Sequence, residues 1–338
     1  MTDKIGAAVV GVGYAGRQHL EAYRRHPAIE LRGVVTRDPG KLSPELRAQI
    51  PCVTANLDDV LADPAVQIVS ICTPDILHAE QAERALAAGK HVLCEKPLAP
   101  SAEECRRILE AAERAGKKVM TGQILRFAPQ FESIHKMVRT GELGEPFFAE
   151  ADYLHNLEPF LGGWRSDPAH RPNLVLGGGC HPIDLLRWLI GDVVEVHAYA
   201  NRRVLTQSAY PHDCILISLT FANGCIGKVL VSGGCKRPYA LNLSVYGDRG
   251  TVQNDKLFLD RIDHLQDWMN LPLPVEEEYP YYYEEIDHFV QSIQSGASLR
   301  VDGAEGAKTV AVCLAAQASI DRRSPVAVAE FEAAMGLA

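Results

Sequence analysis

The sequence predicts a two-domain protein: an α/β domain built on a doubly wound parallel sheet, then an α+β domain with a large, open, mostly antiparallel sheet and flanking helices. In the first third of the chain, apolar runs of strand length alternate with segments of helical periodicity. Beyond it, strand-like segments follow one another, which is typical of an antiparallel sheet. The length of 338 residues allows about two domains of roughly 150 residues each. We expect domains at 1–125 and 126–338.

The predicted first domain alternates strands and helices. Three helix ends carry sequence signals: Asn56 is an N-cap, Ser101 opens a capping box with Glu104, and Gly116 is a C-cap. Buried β-branched runs separated by helices predict parallel strands covered on both faces. The predicted strands occupy residues 4–10, 29–35, 66–72, 91–94 and 117–124, and the predicted helices occupy residues 14–26, 42–49, 56–62, 76–88 and 101–115.

The predicted second domain begins with a helix at residues 129–139. Residues 222–224 predict a tight hairpin turn, because Asn223 and Gly224 tolerate positive φ. The acidic, tyrosine-rich segment 275–283 is interpreted as a surface connection. The predicted strands occupy residues 147–154, 193–200, 214–221, 225–231 and 241–246, and the other helices occupy residues 182–190, 284–294 and 304–319.

Composition limits the classes of function. The chain has 34 Lys and Arg residues against 43 Asp and Glu residues, a formal net charge of −9, which disfavours a nucleic-acid partner. Its nine cysteines form no CxxC pair, and neither Cys nor His clusters at ligand spacing, so we expect no metal site and no disulfide framework. No signal-peptide pattern is present, and no apolar run approaches the roughly 18 residues of a membrane span. We expect a cytoplasmic protein with a small-molecule ligand and no membrane partner.

Residues 11–16 have the pattern G-x-G-x-x-G and lie between a predicted strand and a predicted helix. Gly11 allows the tight turn, Gly13 lets backbone N–H groups approach a pyrophosphate, and Gly16 permits close packing of helix on strand. The N-terminus of the helix supplies positive partial charge to the anion. In this context the loop, with its Tyr14 and Ala15, predicts a dinucleotide-binding Rossmann domain.

The end of the second strand bears on which dinucleotide binds. An acidic residue about 20 positions after the glycines would hold the ribose 2′-hydroxyl of NAD. Thr36 and Arg37 stand there instead, and a hydroxyl followed by a guanidinium suits the 2′-phosphate of NADP. Asp38 could reach a ribose if the loop shifts by two residues, and Arg37 could simply point into solvent. NADP is therefore preferred, with NAD as the alternative.

Glu95, Lys96 and Pro97 follow a buried strand, at the edge of the sheet where open α/β folds bind ligands. Pro97 would stiffen the turn, and Glu95 could balance the charge of Lys96 or order its amine. Lys96 could then hydrogen-bond a substrate hydroxyl and help to move its proton. The alternative is an ordinary surface pair of lysine and glutamate.

Several motifs, in this order, closely resemble the family of glucose-fructose oxidoreductase, inositol dehydrogenase and MocA proteins (Gfo/Idh/MocA). The resemblance spans nearly the whole chain and implies a nicotinamide-dependent oxidoreductase whose second domain binds substrate. The motifs are residues 11–16, Thr73-Pro74 with His78, residues 89–97, residues 141–146, His181-x-x-Asp184 and residues 300–303.

The resemblance also implies roles for single residues. In the family, the lysine of Glu-Lys-Pro contacts substrate near the nicotinamide, and the histidine of the later motif acts as general base or hydrogen-bonds the reacting hydroxyl. Those roles fall on Lys96 and His181. Residues matching a segment that lines the cofactor are Thr73, Pro74 and His78, with Glu95 beside it and Gln123 at the nicotinamide end. The candidates for substrate contact are Arg126, His155, Trp164 and Arg165.

One position departs from the family pattern. The family aspartate that stands four residues before the histidine is Gly177 here. Its absence removes a negative charge and some volume from the pocket, so a roomier cavity or a different proton route would follow. Lys96 could carry more of the acid–base work, or His181 alone could take the proton. His181 could instead be a capping or packing residue, since it precedes Pro182 at the start of a predicted helix.

The sequence as a whole predicts reversible oxidation of a secondary alcohol on a sugar, sugar derivative or cyclitol, with NADP or NAD as cofactor. One alternative is glycoside cleavage through transient oxidation by a retained NAD. Another is a nicotinamide-sensing regulatory protein that performs no chemistry. Because an exposed face of the second sheet would need cover, we expect a homodimer or homotetramer formed through that sheet.

Overall fold

The computed structural model describes residues 4–170, 172–262, 267–271 and 281–337. The chain forms two compact units, the first comprising Met1–Ile124 and Pro280–Ala307 and the second comprising Leu125–Tyr279 and Lys308–Ala338. The sequence placed the boundary one residue later and assigned the entire C-terminal part to the second domain. The return of residues 280–307 to the first unit was not predicted, because a local pattern does not say which sheet a late helix covers.

The helix ends follow the signals in the sequence. The side chain of Asn56 accepts a hydrogen bond from the Asp58 N–H, and that of Ser101 accepts one from the Glu104 N–H. Gly116 has φ 61°, the left-handed conformation that glycine adopts without strain. In chain order the helices are α1 (Tyr14–Arg25), α2 (Pro44–Ala48), α3 (Leu57–Leu61), α4 (His78–Ala87), α5 (Ala102–Ala115), α6 (Pro129–Arg139), α7 (Cys180–Ile190), α8 (Tyr282–Ser295), α9 (Gly303–Arg322) and α10 (Ala329–Ala334).

The first unit is built on a six-stranded sheet in which all neighbouring strands are parallel. The predicted doubly wound parallel sheet is thus confirmed. Its order is β3-β2-β1-β4-β5-β6, so the chain reverses its direction of winding between β1 and β4. Open α/β sheets bind ligands at the carboxyl edge of such a reversal. The strands are β1 (Ile5–Val10), β2 (Ile29–Val35), β3 (Cys52–Thr54), β4 (Val66–Ile71), β5 (His91–Glu95) and β6 (Val119–Gly122), of which β3 was not predicted.

The second unit contains a nine-stranded, mostly antiparallel sheet, as predicted. The order is β14-β13-β12-β11-β7-β10-β9-β8-β15. Its strands are β7 (Pro146–Leu154), β8 (Val193–Asn201), β9 (Cys214–Phe221), β10 (Ile226–Ser232), β11 (Ala240–Gly247), β12 (Gly250–Gln253), β13 (Lys256–Leu259), β14 (Met269–Asn270) and β15 (Val326–Ala327).

Some features of this sheet differ from the expectation. β7 and β10 pair in parallel, which a long connection through α7, β8 and β9 makes possible. The four short strands β12 to β15 were missed, because two to four residues are too few to show a period. The predicted hairpin at residues 222–224 joins β9 to β10, with Gly224 at φ 87°. Of the predicted surface connection 275–283, residues 275–280 lie outside the described residues.

The two faces of the second sheet differ in burial. Alternate residues such as Ala151, Ile217 and Val229 are buried. On the opposite face, Leu216 and Ile226 have exposures of 44% and 54%. No helix in the described ranges is long and apolar enough to cross a membrane.

Candidate active site

The loop between β1 and α1 has the shape of a phosphate cradle. Gly11 has φ 92°, and a Cβ there would lie 2.7 Å from the carbonyl oxygen of Cys72. A Cβ on Gly16 would lie 1.9 Å from the carbonyl oxygen of Gly11, so α1 can approach the loop this closely only with glycine. A Cβ on Gly13 would meet nothing within 4 Å. The space in front of the helix is therefore open at Gly13 and closed at the other two glycines.

The N-terminus of α1 is suited to an anion. Within the described residues no side chain caps this end, and the first turn contains no acidic residue. The backbone N–H groups of the first turn are left for a ligand, and the helix dipole favours negative charge there. Tyr14, 67% exposed, and the half-buried Ala15 are the first two residues of the helix.

At the end of β2, the side chains of Thr36 and Asp38 form hydrogen bonds within the turn, and that of Arg37 takes no part in those bonds. The hydroxyl of Thr36 lies 3.2 Å from both the backbone N and the carbonyl O of Asp38. The Asp38 carboxylate in turn accepts from the Gly40 N–H at 3.1 Å. Both side chains serve the turn itself, whereas the exposed Arg37 is not held by these bonds.

Thr73, Pro74 and His78 connect β4 to α4. The His78 ring is buried, with Nδ1 2.9 Å from the carbonyl oxygen of Pro97 and Nε2 2.9 Å from that of Thr73. The structure thus places His78 as a bridge between the ends of β4 and β5, with both ring nitrogens engaged. The Thr73 hydroxyl donates to Gln81 at 2.7 Å. Gln123, also buried, follows β6.

Lys96 follows β5 in a turn whose backbone is held by the buried side chain of Glu95. Glu95 is buried, and its Oε2 accepts from the Lys96 N–H at 3.2 Å. Its Oε1 lies 3.2 Å from Nε2 of His19 on α1. Lys96 is half-buried and is joined to Pro97 by a cis peptide bond. This glutamate is therefore unlike the exposed carboxylate of an ordinary surface pair. His19 was missed, although its place three residues after Gly16 puts it one turn further along α1.

A second buried carboxyl group lies in the same interior. Glu285 of α8 is fully buried, and neither of its oxygens has a hydrogen-bond partner among the described residues. Burial, reinforced by the charge of Glu95, raises the pKa of Glu285 well above its usual value. Burial also acts to raise the pKa of Glu95, but the hydrogen bond and charge of His19 and the charge of Lys96 outweigh it and lower that pKa. Glu95 is therefore ionised beside a neutral Glu285.

In the second unit, His181 is the second residue of α7 and lies beside an aromatic cluster. Its ring is stacked on that of Tyr153 with centroids 6.3 Å apart, and the Tyr153 hydroxyl lies 3.0 Å from Nδ1 of His155. The rings of Tyr239 and Phe160 lie 5.3 and 5.1 Å from that of His155. The structure thus brings two predicted site residues, His181 and His155, to one cluster. The side chains of Trp164 and Arg165 lie outside the described part of the chain.

Arg126 occupies a different place from the one expected. It is 2% exposed, and its Nε and Nη2 donate to the two carboxylate oxygens of Asp184 at 2.8 and 2.7 Å. Asp184 also accepts from the Thr309 hydroxyl at 2.9 Å. A guanidinium fixed on a buried carboxylate in this way anchors α7 three residues beyond His181. Sequence reasoning could not find this pair, since its members lie 58 residues apart.

The segment before His181 has an open position. Residues Val175–Gly179 form a π-helical turn that leads into α7. A Cβ on Gly178 would lie 2.7 Å from the Tyr153 ring, whereas a Cβ on Gly177 would meet nothing within 4 Å. The space that a carboxylate at position 177 would use is therefore present without the side chain.

Comparison with protein families agrees with this architecture. Residues 5–123 match the family described as "Oxidoreductase family, NAD-binding Rossmann fold", and residues 131–253 match "GFO/IDH/MocA C-terminal domain". The chain belongs to the Gfo/Idh/MocA oxidoreductase family. This confirms the resemblance in the motifs, and with it an oxidoreductase with an NAD-binding Rossmann domain.

Among curated relatives, the inositol 2-dehydrogenase of Rubrobacter xylanophilus is 30% identical over 263 residues, covering 75% of this chain and 72% of that protein. An uncharacterized oxidoreductase of Bacillus subtilis is 26% identical and covers 98% of this chain and 99% of its own length. Among solved structures, levoglucosan dehydrogenase in complex with NADH has a TM-score of 0.88 at 22% identity, covering 96% of this chain and 99% of that one. At that identity the structural likeness shows the fold alone.

The predicted residues thus fall into two sets. The glycine loop, Arg37, His78 and Lys96 belong to the first unit, and Arg126, His155 and His181 belong to the second. In the first unit His78 is hydrogen-bonded to the residue after Lys96, and in the second His155 and His181 both contact Tyr153, whereas Arg126 is bound to Asp184.

The neutral Glu285 makes stability depend on pH. Its pKa is raised in the folded chain, so between the unfolded and folded values the native state binds the extra proton, and unfolding free energy falls as pH rises, by up to about 1.4 kcal/mol per pH unit. We expect Glu285→Gln to be more stable than the parent at alkaline pH, with the difference shrinking toward pH 5. Denaturant unfolding across this range measures it, and a difference independent of pH would contradict a neutral Glu285.

Proposed function

We propose that this protein is a nicotinamide-dependent dehydrogenase, with NADP preferred as cofactor and NAD as the alternative, that interconverts a secondary alcohol and a ketone on a sugar, sugar derivative or cyclitol. The observation that carries the proposal is the open, uncapped N-terminus of α1 at Gly13, in a chain of an NAD-binding oxidoreductase family. The 30% identity with an inositol 2-dehydrogenase supports a polyol substrate.

The residues of the first unit fit a nicotinamide dinucleotide. The cofactor, when bound, accepts or donates the hydride. The N–H groups at the start of α1 would hold its pyrophosphate, since nothing fills the space at Gly13. Arg37 would contact a 2′-phosphate, because the carboxylate of Asp38 already accepts a hydrogen bond from Gly40.

Two residues would handle the proton of the reacting hydroxyl. Lys96 has three N–H donors to orient the substrate oxygen and stabilise developing negative charge. His181 would take the proton during oxidation and return it during reduction, as an imidazole can near neutral pH. Because position 177 holds glycine, no carboxylate stands there to share this work.

The proposed role of Lys96 predicts a large loss of turnover. We expect Lys96→Ala to lower kcat by about 10²- to 10⁴-fold on a panel of cyclitols and sugars, because the proton and the substrate oxygen lose their donor. Nicotinamide absorbance follows the reaction, and Lys136→Ala, an exposed lysine on α6, is the control.

The same assay separates the alternatives. Equal turnover by the parent and Lys96→Ala would contradict the role of the lysine. Glycoside turnover by a retained cofactor, without net reduction, would instead support redox-assisted cleavage. Dinucleotide binding with no turnover on any polyol would favour a sensing function.

The proposed cofactor preference depends on Arg37. We expect Arg37→Ala to raise KM for NADP by about tenfold or more while changing KM for NAD little, because one charge-assisted contact to the 2′-phosphate is lost. Arg106→Ala is the control, since Arg106 lies on α5 and is ion-paired with Glu110. An equal effect on both cofactors would argue against a 2′-phosphate at Arg37.

We also propose that the chain forms a homodimer or homotetramer through the open face of the second sheet. Leu216 and Ile226 lie there largely exposed, and Phe148 and Tyr246 continue the apolar surface with ring centroids 5.6 Å apart. Charged side chains are present on this face as well, since Lys228 bridges Glu150 and Asp152.

A charge on this face is predicted to separate the subunits. We expect Ile226→Glu to reduce the molar mass in light scattering to that of a smaller assembly, because a buried carboxylate would lack a partner. Ala87→Glu, which adds the same charge on an exposed site of α4, should leave the mass unchanged. An unaltered mass for Ile226→Glu would place any interface elsewhere.

A further inference from the structure

A chain of hydrogen bonds leads from the helix of the glycine loop to the lysine turn. It starts at the Tyr23 hydroxyl, 2.6 Å from Oγ of Ser70, which lies 3.0 Å from Nδ1 of His19. Nε2 of the same ring lies 3.2 Å from Oε1 of Glu95, whose Oε2 accepts from the Lys96 N–H. Tyr23 and His19 belong to α1, Ser70 to β4 and Glu95 to β5. This series of hydrogen bonds therefore joins helix α1 to the backbone of Lys96.

The side chains that form these hydrogen bonds are shielded from water. His19 and Ser70 are fully buried, Tyr23 is 1% exposed and Glu95 is 6% exposed. A buried polar group that loses its partner cannot bond to water instead, so breaking any one of these hydrogen bonds costs free energy. The relative positions of α1 and the Lys96 turn are thereby fixed.

The surrounding groups keep a single negative charge in this interior. Helix α8 covers it with Tyr282, whose ring lies 5.2 Å from that of His19, and with the neutral Glu285. Only an ionised Glu95 accepts from both His19 and the Lys96 N–H without a donor of its own left over. The titratable groups that face the pair from all packed elements are Tyr23, Cys72, Cys94, Lys96, Tyr282 and Glu285.

We propose that His19 and Glu95 are a positioning pair that ties the placement of the Lys96 turn to helix α1, the same helix whose N-terminus receives the dinucleotide. The inference rests on the proposed function, in which Lys96 contacts the substrate oxygen. In this proposal the pair acts through Lys96, and Glu95 is a positioning residue where the family resemblance implied one that lines the cofactor. Its loss moves the lysine and its neighbouring charge while leaving the glycine loop in place.

The test uses the full chain with three variants and one control. His19→Leu removes both ring nitrogens, His19→Gln keeps an N–H near the position of Nε2, and Glu95→Gln removes the charge. The control is His26→Asn, because His26 lies 3.1 Å from Asp287 and also joins the end of α1 to α8, away from the lysine turn. The measurements are kcat, KM and the Kd of the dinucleotide.

We expect His19→Leu and Glu95→Gln to lower kcat by about tenfold or more, since displacements of about 1 Å can cost 10²-fold. The Kd of the dinucleotide should change by less than about threefold. His19→Gln should recover most of kcat, and His26→Asn should match the parent. A variant that loses thermal stability yet keeps the parental kcat, or that loses dinucleotide affinity as strongly as kcat, would overturn the proposal.

A second readout does not need turnover. An amine-acylating reagent labels Lys96, and mass spectrometry of its peptide gives the rate. We expect the labelling rate to change several-fold in His19→Leu and Glu95→Gln, because the lysine turn shifts and the exposure of the Lys96 amine changes with it, and to stay parental in His26→Asn. If the parent turns over no polyol, altered labelling still supports the positioning pair while the proposed function fails. Unaltered labelling overturns the pair whether or not the enzyme turns over.

Discussion

The burial of an ionised Glu95 is the constraint on which the first unit depends. Taking a carboxylate out of water costs several kcal/mol unless its oxygens are matched by donors. Here one oxygen meets His19 and the other meets the Lys96 N–H. Because these donors are needed, α1 must place His19 against β5. For the same reason, the backbone after β5 must turn so that the Lys96 N–H points to Glu95. The hydrogen bonds that compensate the buried charge of Glu95 therefore also hold the lysine turn in place.

Helix α1 consequently has two tasks that constrain its sequence along its length. Its first turn must leave N–H groups uncovered, and Gly16 must let the helix approach the loop of Gly11. One turn further, His19 must reach both Ser70 and Glu95. Its far end is joined to α8 through His26 and Asp287. A helix held at three points has little freedom to shift, which suits an element that supports a neighbouring strand end and at which we propose a phosphate site.

Features with a local cause could be predicted from the sequence, and features with a distant cause could not. The glycine loop, the caps at Asn56 and Ser101 and the hairpin at Gly224 depend on residues within a few positions of one another, and the structure has each of them. The return of α8 to the first unit and the ion pair of Arg126 with Asp184 depend on partners far along the chain. Arg126 illustrates the limit, since a cation after the last strand of the first domain has the same local sequence whether it meets a ligand or a buried aspartate.

The net charge of −9 must be considered together with these local arrangements. A surplus of acidic residues repels a phosphorylated ligand at long range, but salt screens exposed charges beyond about 8 to 10 Å. Nearby groups would therefore dominate the electrostatic potential at a pyrophosphate bound near Gly13. The ionised Glu95 is hydrogen-bonded to His19 and to the Lys96 N–H, and the raised pKa of the buried Glu285 means that this group adds no second negative charge beside Glu95. At the cofactor site that we propose, the N–H groups of α1, Arg37 and Lys96 would provide the local positive field, and an acidic protein could hold an anionic cofactor there because only one of the two interior carboxyl groups carries a charge.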